Sequence, residues 1–103
     1  MARQTIVDKI WQSHEILLDP GSGESLLYID NLFLTDSSSF HAFDLIKKEK
    51  LPVRNPKQIF GVPDHFASSK SKKLSDIADP DRIARINDLE SNCKKWEIHH
   101  FGL

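Results

Sequence analysis

Apolar residues recur three and four positions apart in three stretches of this sequence, which is the spacing of a helix that buries one face. The first stretch follows Thr5, a suitable N-cap, and continues to the turn-forming residues 19–23. The second follows residues 37–39, three serines that can cap it, and closes with the charged residues 47–50. The third starts at residues 79–81, Asp-Pro-Asp, which combine a cap with proline at the first helical position. The pattern therefore predicts three helices.

Three short apolar segments between and after these helices have the composition of strands. Residues 26–34 form an almost unbroken apolar stretch, which is typical of an inner strand covered on both faces. Residues 58–62 are a second candidate, and residues 97–101 can close the sheet. Helices that alternate with strands favour parallel pairing with right-handed crossovers. We expect an α/β fold of order αβαβαβ, with a short, mainly parallel sheet flanked by helices, occupying residues 1–103 as a single domain.

Composition and charge narrow the classes of partner. The hydrophobic fraction of 39% and the charged fraction of 28% are ordinary for a globular chain and favour neither disorder nor a membrane span. Because 14 basic residues face 15 acidic ones, the net charge of −1 supplies no field that steers the chain to a polyanion. We therefore expect neither nucleic acid nor a membrane as a partner.

Cys93 is the single cysteine, which excludes an internal disulfide framework and a cysteine-rich zinc or iron–sulfur site within this chain. The start of the sequence has no apolar run of signal-peptide length. Both observations predict a cytoplasmic protein. Cys93, Trp11 and Trp96 fall on apolar helix faces, so we expect them in the core, although either tryptophan could instead lie at an interface.

The best candidate for chemistry is the pair Asp64 and His65, which directly follows the second predicted strand and Pro63. The carboxyl ends of parallel strands meet at one edge of a sheet, where reactive groups gather. A carboxylate beside an imidazole can orient the ring and stabilise its protonated form, which suits His65 to exchange a proton near neutral pH. The alternative is an ordinary loop pair, because adjacent side chains need not face each other.

Other polar residues are weaker candidates. His41, early in the second helix, could project toward the same edge of the sheet as a second proton-transfer group, or it could be a half-buried helix residue. Ser38 and Ser39 could bind a carboxylate or phosphate at the helix start, with capping as the alternative. His99 and His100 point to opposite faces of a strand, so we expect no metal site there.

Several motifs occur in the order found at the start of the 3-isopropylmalate dehydratase large subunit, a member of the aconitase superfamily. They are Lys9-Ile10-Trp11 with His14, Leu26-Leu27-Tyr28-Ile29-Asp30, Ala42-Phe43, Pro52-Val53-Arg54 with Pro56, and Phe60 followed by Asp64-His65. Asn92-Cys93 and the last predicted strand resemble the helix and strand that come next in the family. The sequence thus resembles that N-terminal segment over almost its whole length.

The resemblance implies a chemistry. Family enzymes move a hydroxyl group between neighbouring carbons of a small di- or tricarboxylic acid, with a [4Fe–4S] cluster as Lewis acid. Their active-site aspartate–histidine pair maps onto Asp64 and His65. The cluster cysteines of the family lie beyond the matched stretch, so this chain resembles the family without the cluster-binding remainder, and we expect no cofactor within it.

Departures from the family pattern put part of that chemistry in doubt. His41 stands where the family usually has glutamine, Asn31 where it has arginine, and residues 66–69 where it has Asn-Val-Pro-Thr. These changes indicate either decay of the ancestral site or its conversion to acid–base work without the cluster.

Three functions are consistent with these observations. The first is a stand-alone module that hydrates, dehydrates or isomerises a small carboxylic acid or a biosynthetic intermediate, as a lyase or isomerase, with His65 as acid or base, Asp64 orienting it and His41 assisting. The second is a non-catalytic binding or assembly module. The third is a split dehydratase-type large subunit that acts with a missing partner. In each case we expect a homo-oligomer or a partner subunit.

Overall fold

A computed structural model describes residues 2–103 and divides the chain into two compact units. One unit extends to Asp30 and the other runs from Asn31 to Leu103. The first contains helix α1 and strands β1 and β2, with bounds Ile6–His14, Glu15–Leu18 and Ser25–Leu27. The second contains β3, α2, β4, α3 and β5, with bounds Leu32–Thr35, Ser39–Glu49, Ile59–Val62, Pro80–Lys95 and His99–His100, and two short 3₁₀ turns, Pro56–Gln58 and Leu74–Asp76. A single domain over residues 1–103 stays a prediction.

Helix α1 starts where the sequence predicted it but ends earlier. The Thr5 hydroxyl accepts a hydrogen bond from the Asp8 N–H at 3.1 Å, and the Asp8 carboxylate accepts one from the Thr5 N–H at 2.8 Å, which is a capping box. The helix does not continue to residues 19–23, because Glu15–Leu18 pairs as an antiparallel strand with Ser25–Leu27. Backbone pairing across this turn replaces the helical hydrogen bonds that the apolar spacing had predicted.

The turn of this hairpin is held by Asp19. Its carboxylate accepts hydrogen bonds from the Ser22 hydroxyl at 2.8 Å and the Gly21 N–H at 3.1 Å, and these bonds, the first more than the second, lower the pKa of Asp19. An aspartate that bonds its own turn in this way brings two apolar segments side by side. The turn therefore decides that residues 15–18 are a strand.

The prediction of one inner strand over residues 26–34 is wrong. The stretch is divided at Asp30 and Asn31, so that its first part pairs in the hairpin and its last part, in β3, pairs with β4. His14 ties Asp30, where the stretch divides, to helix α1. Its Nε2 lies 3.0 Å from Asp30 Oδ2, and its Nδ1–H donates to the Ile10 carbonyl at 2.6 Å. The Ile10 carbonyl first, and then Asp30, raise the pKa of His14 above its ordinary value.

The second unit confirms the α/β class and the parallel sheet. The strand order is β3-β4-β5, with both neighbouring pairs parallel. Asp79 is the N-cap of helix α3: its carboxylate accepts a hydrogen bond from the Asp81 N–H at 2.9 Å, and Pro80 is the first helical residue, as the sequence predicted. Within residues 2–103, no helix combines the length and the apolar character that crossing a bilayer requires.

The core of this unit lies between the sheet and its two helices. Phe43 of α2, Leu89 and Cys93 of α3, and Ile98 are buried together. Burial raises the pKa of the Cys93 thiol to about 11, so the expectation of a core cysteine is confirmed. Trp96 packs partly buried against this core. Trp11, in contrast, is 47% exposed, so its expected place in the core is wrong.

The two faces of the sheet differ sharply. Phe33, Phe60 and His99 are in register across the three strands, and Leu34, Gly61 and His100 form the next row on the opposite face. The second row faces the helices, since Leu34 packs on the core and a Cβ on Gly61 would lie against Cys93. The first row, with Phe101 stacked on Phe60 at 6.1 Å, forms an aromatic face on which Phe33 is 63% exposed. His99 and His100 thus point to opposite faces, as predicted.

Gly61 sets the distance between β4 and α3, which gives a first test. A Cβ there would lie 2.6 Å from Cys93 Sγ, so we expect Gly61→Ala to lower the free energy of unfolding by roughly 1–3 kcal/mol. Gly21→Ala is the control, because its Cβ would meet the Asp19 carboxylate at an ordinary 3.5 Å. Denaturant unfolding measures both. Adding Cys93→Ala should recover part of the loss, and a double mutant whose losses simply add would contradict the close contact.

Candidate functional site

Three polar residues converge at the carboxyl edge of the parallel sheet. Thr35 ends β3 and Val62 ends β4, and these two residues are paired in register. The segments that follow them therefore leave the sheet side by side. As a result Asp36, just after β3, meets Asp64 and His65, just after β4, and one ligand atom from each lies within 4.8 Å of the others.

Asp36 anchors the backbone of this site. Its residue is 1% exposed, and its carboxylate accepts hydrogen bonds from the His65 N–H at 3.1 Å and the Phe66 N–H at 3.0 Å. A buried carboxylate is costly unless it is hydrogen-bonded, so these two bonds are what allow the charge to sit there. In return, they determine where the chain turns after β4 and hence where His65 lies.

Sequence reasoning did not identify Asp36. The signal that could have found it is its position at the end of an apolar segment, because a polar residue that follows one strand meets a polar residue that follows its parallel neighbour. The three serines that follow Asp36 are typical of a helix start, so the sequence pattern predicts a cap at this point and not a site.

The imidazole of His65 is held from one side and open on the other. Its Nδ1 lies 2.6 Å from Asp64 Oδ1 and 3.8 Å from Asp36 Oδ1, while the side chain is 51% exposed. An ionised carboxylate can only accept, so Nδ1 is the nitrogen that carries hydrogen and donates to Asp64. In the neutral ring Nε2 then has the free lone pair, and this atom can take up or release a proton.

The remaining predicted residues lie around the start of α2. His41 is exposed on the first turn, with its ring 3.9 Å from the Phe40 ring between centroids. Ser38 occupies the N-cap position, and its hydroxyl lies 3.5 Å from that of Thr35. Ser39 is buried at the first helical position. The structure thus brings Asp64 and His65 together with Asp36, while the roles of His41, Ser38 and Ser39 stay predictions.

A cavity opens beside the pair at the same edge of the sheet. It has a volume of about 330 Å³, and its lining includes Ser37, which follows Asp36, and Phe66, which follows His65. Phe40 of α2 and the N-terminal part of α3, with its cap Asp79, contribute the rest of the lining. A small molecule in this cavity would therefore contact Ser37 and Phe66, the residues that follow Asp36 and His65 in the chain.

The donor atoms of the site already take part in hydrogen bonds. Asp36, Asp64 and His65 have the spacing of metal ligands. However, both Asp36 oxygens already accept backbone N–H groups, and the His65 Nδ1 is committed to Asp64. The [4Fe–4S] cluster that the family resemblance implies does not fit these residues either. Such clusters are held by several thiolates, and the single cysteine here is buried in the core.

Asp36→Ala tests the anchoring of the site. It should leave the His65 and Phe66 N–H groups without their acceptor, so we expect a loss of about 2 kcal/mol in the free energy of unfolding. Hydrogen exchange gives the local readout, because the amides of His65 and Phe66 should exchange faster than in the wild type. Asp64→Ala is the matched control and should leave both amides protected. Unchanged exchange in Asp36→Ala would show that the carboxylate does not hold this turn.

Comparison with known proteins supports the motif-based resemblance. The 3-isopropylmalate dehydratase large subunit of Cytophaga hutchinsonii is 30% identical over 100 residues, which is 97% of this chain and 21% of that protein. The corresponding subunit of Bacteroides thetaiotaomicron is 30% identical over 99 residues, and that of a Synechococcus strain is 29% identical over 102 residues, each covering 21% of the relative.

No protein-family profile matches the chain, and no solved structure matches it. The chain spans about a fifth of the length of these relatives, namely 21%. The alignment covers 97% of this chain, which confirms the resemblance predicted from the motifs. The chain is therefore similar to the 3-isopropylmalate dehydratase large subunit across nearly all of its residues.

Proposed function

We propose that this chain is a cytoplasmic hydro-lyase or isomerase that transfers protons on a small carboxylic acid or biosynthetic intermediate, without a cofactor of its own. The observation that carries the proposal is the 2.6 Å contact between His65 Nδ1 and Asp64 Oδ1, on a backbone segment that the buried Asp36 holds. The relatives support the same direction, because their name describes a dehydratase.

The geometry indicates how His65 would act. With Nδ1–H donating to Asp64, the neutral ring has Nε2 available as a base for a C–H next to a carboxylate. In the imidazolium that forms, Nδ1–H keeps its hydrogen bond to the Asp64 carboxylate. In dehydration the same Nε2–H then protonates the departing hydroxyl as water, and in isomerisation it returns the proton to a neighbouring carbon.

Two other groups complete the proposed site. His41, which is exposed on the first turn of α2, is the proposed second proton-transfer group. Ser38 and Ser39 are proposed ligand contacts, because they precede and begin α2, where N–H groups and the helix dipole favour an anion. Phe40 beside His41 supplies an apolar surface for the body of the substrate.

His65→Ala tests the catalytic role. We expect turnover of an identified substrate to fall by roughly 10²-fold or more, because a positioned acid or base contributes about that much. Asp64→Asn should lower kcat by a smaller factor and leave KM nearly unchanged, since it alters the orientation and charge stabilisation of the ring. His99→Ala is the matched control, an exposed histidine on β5. Turnover by His65→Ala equal to that of the wild type would overturn the proposal.

A second candidate function is a binding or assembly module, and the exposed apolar residues favour it. In the second unit Phe33 is 63% and Phe101 58% exposed, on the aromatic face opposite the helices. Parallel sheets normally have both faces covered. In the first unit α1 has no buried residue, and Ile6 is 74% exposed. Surfaces of this kind mark interfaces, so we propose a second copy or a partner subunit as their cover.

The oligomeric state tests this candidate. Light scattering should give a mass above that of a monomer, and Phe33→Ser with Phe101→Ser should move the mass toward the monomer because the aromatic face loses its apolar contacts. Leu45→Ser is the control, since Leu45 is 55% exposed on α2, away from that face. A monodisperse monomer at every concentration, with no partner present, would count against assembly through a second copy.

A further inference from the structure

The cavity at the carboxyl edge of the sheet has the position and size of a ligand site. Its volume of about 330 Å³ falls at the lower end of small-molecule sites, which span roughly 300–1,000 Å³. Open parallel sheets bind ligands outside the carboxyl ends of their strands, and Ser37 and Phe66 place this cavity there. The site therefore suits a small ligand with few atoms beyond its polar groups.

The charged residues of the lining are balanced. Asp79, Asp81, Arg82 and Arg85 all line the cavity, so it holds equal numbers of carboxylates and guanidinium groups. Arg82 Nε lies 3.7 Å from Asp79 Oδ2, a long contact that uses a single nitrogen of the guanidinium group. The other Asp79 oxygen accepts the Asp81 N–H as a helix cap. Arg85 donates from Nη1 to Asp88 Oδ2 at 3.3 Å, so we assign the ligand contacts to the other two charges of the lining, Arg82 and Asp81.

Two phenylalanine rings support the arginines and supply apolar surface. The Arg85 guanidinium lies over the Phe40 ring, 3.7 Å from its centroid, and that of Arg82 lies 5.7 Å from the Phe66 centroid. A guanidinium group stacked on a ring keeps its hydrogen-bond donors in the plane, where they can meet a carboxylate. Both rings also line the cavity and can contact an aliphatic group of the ligand.

We propose that this cavity binds a zwitterionic α-amino acid with a compact aliphatic side chain. Arg82 binds its carboxylate, Asp81 binds its ammonium group, and Phe40 and Phe66 contact the side chain. A dicarboxylic acid fits less well, because its second carboxylate would face Asp81. The assignment goes beyond the proposed activity, because His65 does not line the cavity, and it names the class of ligand that this cavity selects.

Four ligands that differ by one group test the charge pattern. They are L-valine, isovalerate, which lacks the ammonium group, isobutylamine, which lacks the carboxylate, and isopropylmalonate, in which a second carboxylate replaces the ammonium group. NMR titration should show L-valine binding, with contacts from its methyl groups to the Phe40 and Phe66 rings. The affinity of each of the other three should be lower by a factor of about ten or more, since each loses a charge-assisted hydrogen bond.

Substitutions assign the two contacts. Arg82→Gln and Asp81→Asn should each weaken L-valine binding about tenfold, while Arg54→Gln and Glu90→Gln, exposed residues outside the lining, should change it less than about twofold. Circular dichroism verifies that each variant is folded. No L-valine binding, tighter binding of isopropylmalonate, or equal losses in the control variants would overturn the assignment.

The same titration separates this inference from the proposed activity. His65→Ala should bind L-valine as the wild type does, because His65 is not part of the cavity lining. Binding without turnover would leave the ligand site standing and refute the enzyme. Turnover of a dicarboxylic acid by a chain that does not bind L-valine would support the enzyme and refute the ligand site.

Discussion

The parallel pairing of β3 with β4 is the constraint on which the rest of the second unit depends. Because Thr35 and Val62 are in register, the residues after each strand leave the sheet at the same level. Asp36 can then reach the backbone at His65 and Phe66. A shift of one residue would reverse the faces of the strand and separate these groups.

Close packing on one side of the sheet makes that pairing rigid. Gly61 lets the Cys93 thiol approach the strand, and Leu89 and Phe43 fill the space beside it. A strand held at this distance from α3 has little freedom to slide, since interiors are packed to crystal-like density. The candidate site therefore lies at the end of β4, the strand that packs most closely on the core of the unit.

The site combines a buried carboxylate with an exposed imidazole. Burial removes the hydration of the Asp36 carboxylate. Two hydrogen bonds from backbone N–H groups offset this desolvation, and each contributes roughly 1.5–3 kcal/mol when the acceptor is charged. His65, in contrast, keeps half of its side chain exposed and is oriented by Asp64. An anchored backbone with an accessible imidazole is the arrangement that proton transfer requires, because the ring must be fixed and still meet a substrate.

Elements that depend on local interactions could be predicted from the sequence. The starts of α1 and α3 depend on bonds between residues two or three positions apart, from Thr5 to Asp8 and from Asp79 to Asp81, so the residue order alone predicts them. The adjacency of Asp64 and His65 and the single cysteine are likewise properties of the sequence.

Only the tertiary structure decided the rest. The division of residues 26–34 between two sheets depends on which strands find partners, and the burial of Asp36 depends on a hydrogen bond to a residue 29 positions away. Such pairings are chosen by the packing of the whole unit, which apolar spacing within one segment does not encode.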